Sequence, residues 1–135
     1  MKKMFLLAIA TFLVGLASGS LTSCSKKNDN PPSGSTVVKY ELTGNYTGRI
    51  LVAFTDQNGG TANETVSLPW SKELTVQNSI IAVGFGGQTS APNYGASGQT
   101  ITAKLYIGSQ LKQSGTSTAD VNGAVTLPNL ANPVN

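Results

Sequence analysis

Residues 101–107 read Ile101-Thr102-Ala103-Lys104-Leu105-Tyr106-Ile107. Apolar and non-core side chains alternate along the whole stretch. In an extended chain successive side chains point to opposite faces, so a period of two lines one face with apolar groups and leaves the other to water. Ile101, Ala103, Leu105 and Ile107 therefore belong to a core, and Thr102, Lys104 and Tyr106 lie on the reverse side. This is the pattern of a half-buried strand.

Outward from this stretch the same period recurs. Val38, Tyr40 and Leu42 repeat it, as do Ile50, Val52 and Phe54. Residues 80–85 are apolar on both faces, which predicts a central strand covered on both sides. Val66 with Leu68, Leu74 with Val76, and Val125 with Leu127 supply shorter pieces. Gly44-Asn45, Asn58-Gly59-Gly60, Gly108-Ser109 and Asn122-Gly123 separate the runs, and such pairs provide the positive φ angles of tight hairpins. No stretch after Thr36 has a helical period with caps. About eight short strands in a domain at 36–130 predict an all-β fold, an immunoglobulin-like two-sheet sandwich of about seven to eight antiparallel strands. A small closed barrel is the structural alternative.

The N-terminus has a different character. Lys2 and Lys3 precede an apolar run at residues 4–16, and Leu21-Thr22-Ser23-Cys24 follows. The run is shorter than the ~20 residues of a membrane span and has the length of a signal-peptide core. A leucine three places before a cysteine matches a lipobox. Residues 1–23 are then a lipoprotein signal peptide, cleaved between Ser23 and Cys24, with Cys24 as the lipid attachment point. Two other readings are open. Ala17-Ser18-Gly19 resembles an ordinary cleavage site, which would leave Cys24 a free thiol. The apolar run extended through Leu21 could also persist as an uncleaved anchor. Residues 24–35 are polar with two prolines and predict a flexible tether with nothing to bury.

Composition excludes several chemistries. The chain carries nine Lys and Arg against six Asp and Glu, a net charge of +3, and no histidine. From Thr36 onward the charges balance: Lys39, Arg49, Lys72, Lys104 and Lys112 face Glu41, Asp56, Glu64, Glu73 and Asp120. The excess is an export and tether property, and no nucleic-acid footprint is expected. Without histidine the Ser-His-Asp and Cys-His mechanisms are unavailable, as is the commonest metal ligand. With Cys24 acylated, no metal or other cofactor is expected. Asp56 and Glu64 flank a predicted hairpin tip, where charges are ordinarily solvated. Ser71 and Lys72 are adjacent on a strand and point to opposite faces, so they do not form a dyad. Gly84-Phe85-Gly86-Gly87 is not a dinucleotide fingerprint, since no helix follows. The expectation is a non-enzymatic protein with no small-molecule ligand.

Leu68-Pro69-Trp70-Ser71-Lys72 holds the only tryptophan. Pro69 has no N–H for a ladder and belongs at an edge, a bulge or a sheet crossing. Trp70 is expected as a core anchor; a ligand-stacking role is the alternative. This segment, with residues 38–44 and the strand and turn at 101–108, resembles the MmpS family of small mycobacterial membrane proteins, over most of residues 37–127. The resemblance implies a periplasmic β-sandwich behind a membrane anchor, acting as an accessory partner of large lipid and siderophore exporters, without catalytic residues. Three features depart from the family. A lipobox replaces the spanning anchor, in the manner of Bacteroidetes lipoproteins, no cysteine pair lies in the sandwich, and the segment at residues 86–99 is longer than the family's usual connection.

The longest connection is expected at residues 86–99. Loops of this length are commonly either binding loops or mobile ones. Tyr94 is its only large side chain and the first candidate for a partner contact. Tyr106 with Lys104 forms a second candidate patch. Together these features predict an envelope lipoprotein, lipid-anchored at the outer membrane and facing the periplasm, that docks onto another envelope protein. The alternative is a surface-displayed glycan- or host-binding module using the 86–99 loop. A fimbrial building block is a third reading.

Overall fold

The computed structural model describes residues 34–134. The signal segment 1–23, Cys24 and all but the last two residues of the tether lie outside the described residues. Among the described residues there are eight strands and no helix, hence no helix long and apolar enough to cross a membrane. The strands are β1 (Ser35–Gly44), β2 (Ile50–Thr55), β3 (Thr61–Val66), β4 (Trp70–Gln77), β5 (Ala82–Gln88), β6 (Thr100–Ile107), β7 (Gln110–Thr118) and β8 (Leu130–Pro133). They form two four-stranded sheets, in the orders β4-β1-β6-β7 and β3-β2-β5-β8, and every pairing is antiparallel. The fold is the immunoglobulin-like two-sheet sandwich that the alternating pattern predicts. No ladder joins the two sheets, so the barrel alternative does not apply.

The core lies between the sheets. From the first come Val38, Tyr40, Leu42, Val76, Ile101, Ala103, Leu105 and Ile107; from the second come Ile50, Val52, Phe54, Val66, Val83, Phe85 and Leu130, all buried. Every buried side chain among the described residues is apolar or a tyrosine. Burying a leucine or phenylalanine of this kind contributes about 1.5–3 kcal/mol, and with no disulfide available this packing holds the fold. Tyr40 meets Phe54 and Phe85 at ring distances of 5.4 and 5.3 Å. Its hydroxyl donates to the Thr55 carbonyl at 2.8 Å, which satisfies the one polar atom it brings inside. Burial pushes that phenol up to about 12.

Three elements differ from the sequence expectation. β5 begins at Ala82, so Ile80 and Ile81 precede it; Ile80 is half-buried and Ile81 is exposed. Val125 and Leu127 are buried but form no strand, with a single bridge between Thr126 and Gln88. The polar segment Gln110–Thr118 is a full nine-residue strand. Its register with β6 sets Gln113, Gly115 and Ser117 opposite Leu105, Ala103 and Ile101. It is an edge strand whose inner face has little of the second sheet to cover, so no apolar row is required of it.

Side chains close both open flanks of the sandwich. On one, the Gln113 amide donates to the Ala131 carbonyl (2.6 Å) and accepts the Ala131 N–H (3.0 Å), taking the place of a strand against β8. On the other, Lys72 and Glu64 pair between the edge strands β4 and β3, with the ammonium 5.7 Å from the Phe54 ring centre. Inward-pointing charge on an edge strand disfavours pairing with another chain.

Candidate functional site

Because the strands are antiparallel, the connections collect at two ends. The chain enters at Gly34 and Ser35, and that entry end also holds the turns at 56–60, 78–81 and 108–109 and the end of β8. The opposite, loop end holds the connections at 45–49, 67–69, 89–99 and 119–129.

The loop expected to be longest is shorter than the sequence predicts, and the 119–129 connection equals it in length. β5 continues through Gly86, Gly87 and Gln88, so the loop proper is 89–99. It is tied down along its length. The Thr89 N–H donates to the Val125 carbonyl, and the Val125 N–H returns to the Thr89 hydroxyl, both at 2.9 Å. The Arg49 N–H donates to the Asn93 carbonyl at 2.9 Å. The Gln99 side-chain oxygen accepts from the Thr47 N–H (3.0 Å) and the Ala96 N–H (2.9 Å), and Asn45 Oδ1 accepts the Thr100 N–H (2.7 Å).

At the centre of this end is Tyr46, buried at 4% exposure. Its hydroxyl donates to the Gly123 carbonyl (2.8 Å) and accepts the Gly95 N–H (2.9 Å), while that same N–H lies 3.1 Å from the Gly123 carbonyl. One phenol thus joins three separate connections. Net, each such hydrogen bond contributes about 0.5–1.5 kcal/mol. The sequence reading did not single out Tyr46, because nothing in its neighbours marks it as a junction.

Two turns share one local design. Residues 56–60 read DQNGG and residues 120–124 read DVNGA. In each, the Asp Oδ1 accepts two backbone N–H groups, from Asn58 and Gly60 at 2.8 and 2.9 Å, and from Asn122 and Ala124 at 2.8 and 3.0 Å. The glycines Gly59 and Gly123 have φ of 84° and 79°, the left-handed region in which a Cβ is strained. The repeated Asp-x-Asn-Gly is visible in the sequence and was the signal available for both acids.

The expected contact residues are placed as follows. Tyr94 is 44% exposed at the loop end, and Val121, on the 119–129 connection, is 87% exposed at the same end. Tyr106 is at the other face of the molecule, half-buried on the outside of the first sheet. There Glu41 sits between Lys39 (2.7 Å) and Lys104 (3.2 Å), and the Lys39 ammonium lies 5.3 Å from the Tyr106 ring centre. The hydrogen bond from Lys39, helped by Lys104, holds the Glu41 carboxyl below the usual range, and the Lys39 ammonium is raised by the same partner. Tyr94 and Tyr106 therefore do not form one patch. Trp70 is half-buried on the inner side of β4, 5.9 Å from both Phe54 and Phe85. Pro69 lies in the crossing from β3 to β4, with a cis Leu68–Pro69 bond. Ser71 faces outward beside Glu41, and Lys72 faces inward beside Tyr40. No group of three metal-ligating side chains occurs among the described residues. Cys24 and Ser23 lie outside them.

Compared with known proteins, the chain matches no family model and no curated relative.

Proposed function

We propose that this protein is a non-catalytic envelope lipoprotein, anchored through lipid on Cys24, whose sandwich docks onto another envelope protein with its loop end. The observation that carries the reading is the polarity of the domain. The chain enters at Gly34, and the exposed Tyr94 and Val121 sit at the opposite end, on connections held by the Tyr46 hydroxyl and the Gln99 amide. An anchor at Cys24 and a reach of at most about 40 Å to Ser35 would present that end to a partner in the periplasm. Anchoring raises the local concentration of the domain near membrane proteins without a new contact. Held loops lose little freedom on binding, which favours a small aromatic contact. The resemblance of residues 68–72, 38–44 and 101–108 to the MmpS family supports a transport protein as the partner class.

A photo-reactive amino acid at position 94 tests this in intact cells, with the same group at Ile81 as the entry-end control. The expected result is a protein adduct from position 94 and none from position 81. Adducts to polysaccharide, or no adduct from 94, would overturn docking and favour the glycan- or host-binding reading. Labelling with radioactive palmitate, compared between the wild type and Cys24→Ala, tests the anchor. Loss of label in the variant is expected.

A further inference from the structure

The entry end carries a cavity that the docking reading does not use. It has a volume of about 570 Å³ and is lined by Gln57, Asn58, Thr75, Gln77, Asn78 and Ser79, together with Gly34 and Ser35. Ligand sites commonly span roughly 300–1,000 Å³. Among the described residues no Asp, Glu, Lys or Arg lines it, and no aromatic ring does. Four carboxamides converge here from two turns. Gln57 and Asn58 come from the β2–β3 tip, and Gln77 and Asn78 from the end of β4. The side chains of all four make no hydrogen bond to other described residues.

The backbone beneath these side chains is held in place. The Asp56 carboxylate accepts the Asn58 N–H at 2.8 Å, the Asn78 N–H donates to the Gly34 carbonyl at 2.9 Å, and the Ile80 N–H donates to the Gln77 carbonyl at 2.9 Å. Each carboxamide offers two donors and an acceptor oxygen. A ligand matching this set must give and take hydrogen bonds at many points while carrying no charge. Hydroxyls on adjacent carbons of a sugar do this. An anionic ligand would find no cation among the described residues of the wall.

We propose that this cavity binds an uncharged oligosaccharide. With no aromatic ring among the described lining residues to supply stacking area, weak binding is expected, with a Kd of about 1 mM. The site is at the opposite end of the sandwich from Tyr94, so it stands or falls separately from the docking reading.

The test uses isotopically labelled full-length protein in a detergent without a sugar headgroup. Maltotetraose and the N-acetylglucosamine tetramer serve as probes, followed by the backbone and side-chain amide signals in NMR. The expected result is a saturating shift of the Gln57, Asn58, Gln77 and Asn78 side-chain signals with at least one probe, unchanged between low and high salt. Gln57→Ala combined with Gln77→Ala, which removes two exposed side chains and keeps the backbone bonds of both positions, should weaken binding about ten-fold and leave the remaining spectrum in place. No shift with either probe would overturn the proposal. So would shifts confined to the 89–99 loop, binding that falls as salt rises, or undiminished binding by the double variant.

Discussion

Residues 56–60 and 120–124 share three of their five letters and the same internal hydrogen bonds, yet they stand in different surroundings. The first is the free tip of the β2–β3 hairpin. A methyl added at Gly59 would approach only the flexible end of Ile80, at 3.3 Å. The second is packed into the loop end, where its Gly123 carbonyl takes the Tyr46 hydroxyl and the Gly95 N–H. A methyl at Gly123 would overlap the Gly95 carbonyl oxygen and carbon. The local design is worth what its neighbours make of it. One copy forms a turn and leaves its side chains to the solvent, and the other copy holds three connections together.

The largest effect expected from this contrast is that of Gly123→Ala. It combines the left-handed strain of about 1–2 kcal/mol with a collision against backbone that cannot rotate away, so a loss of about 3–4 kcal/mol in urea unfolding is expected. Tyr46→Phe follows. It removes the hydroxyl from the triangle and leaves the Gly95 N–H to Gly123 carbonyl bond as its one remaining side, at a cost of about 1–2 kcal/mol. Hydrogen exchange should show faster opening of residues 93–99 and 120–125 in this variant, with β6 unchanged. If β6 opened equally, Tyr46 would be an ordinary core residue and not a junction.

Asp120→Ala and Asp56→Ala each delete an acceptor of two backbone N–H groups. Both should cost about 1 kcal/mol, with Asp120→Ala the larger because its turn is a platform for other connections. Equal losses would show that the packing around the second turn adds nothing to it. Gly59→Ala should be the mildest, near the bare strain of about 1 kcal/mol, since Ile80 can move. If Gly59→Ala proved as harmful as Gly123→Ala, the contrast between the turns would collapse.

Much of the fold was legible from alternation. Residues 101–107 show it best: Ile101, Ala103, Leu105 and Ile107 are all buried, and the reverse-face residues are not. Residues 110–118 were illegible for a physical reason. An edge strand that faces little of the opposite sheet needs no apolar row, and QLKQSGTST has none. It is specified by its hairpin at Gly108-Ser109 and by its pairing with β6. β8 is short and ends in Pro133, so nothing local announces it; its place depends on Phe85 and on the Gln113 amide. For the candidate contact residues, the exposure of Tyr94 followed from its Gly- and Ser-rich neighbours. The bonds that hold its loop did not, because Asn45, Thr47 and Gln99 are ordinary polar letters until the fold brings them together.

By itself the amino-acid order determined the strand faces, the Asn-Gly turns and the all-β class. These rest on interactions between residues a few positions apart: alternating side-chain direction and the steric cost of positive φ. Only the tertiary structure decided which strands share a sheet, which of two like turns packs against other connections, and which four amides border one cavity. Those outcomes join residues as far apart as Tyr46 and Gly123, and no local period carries information over such a separation.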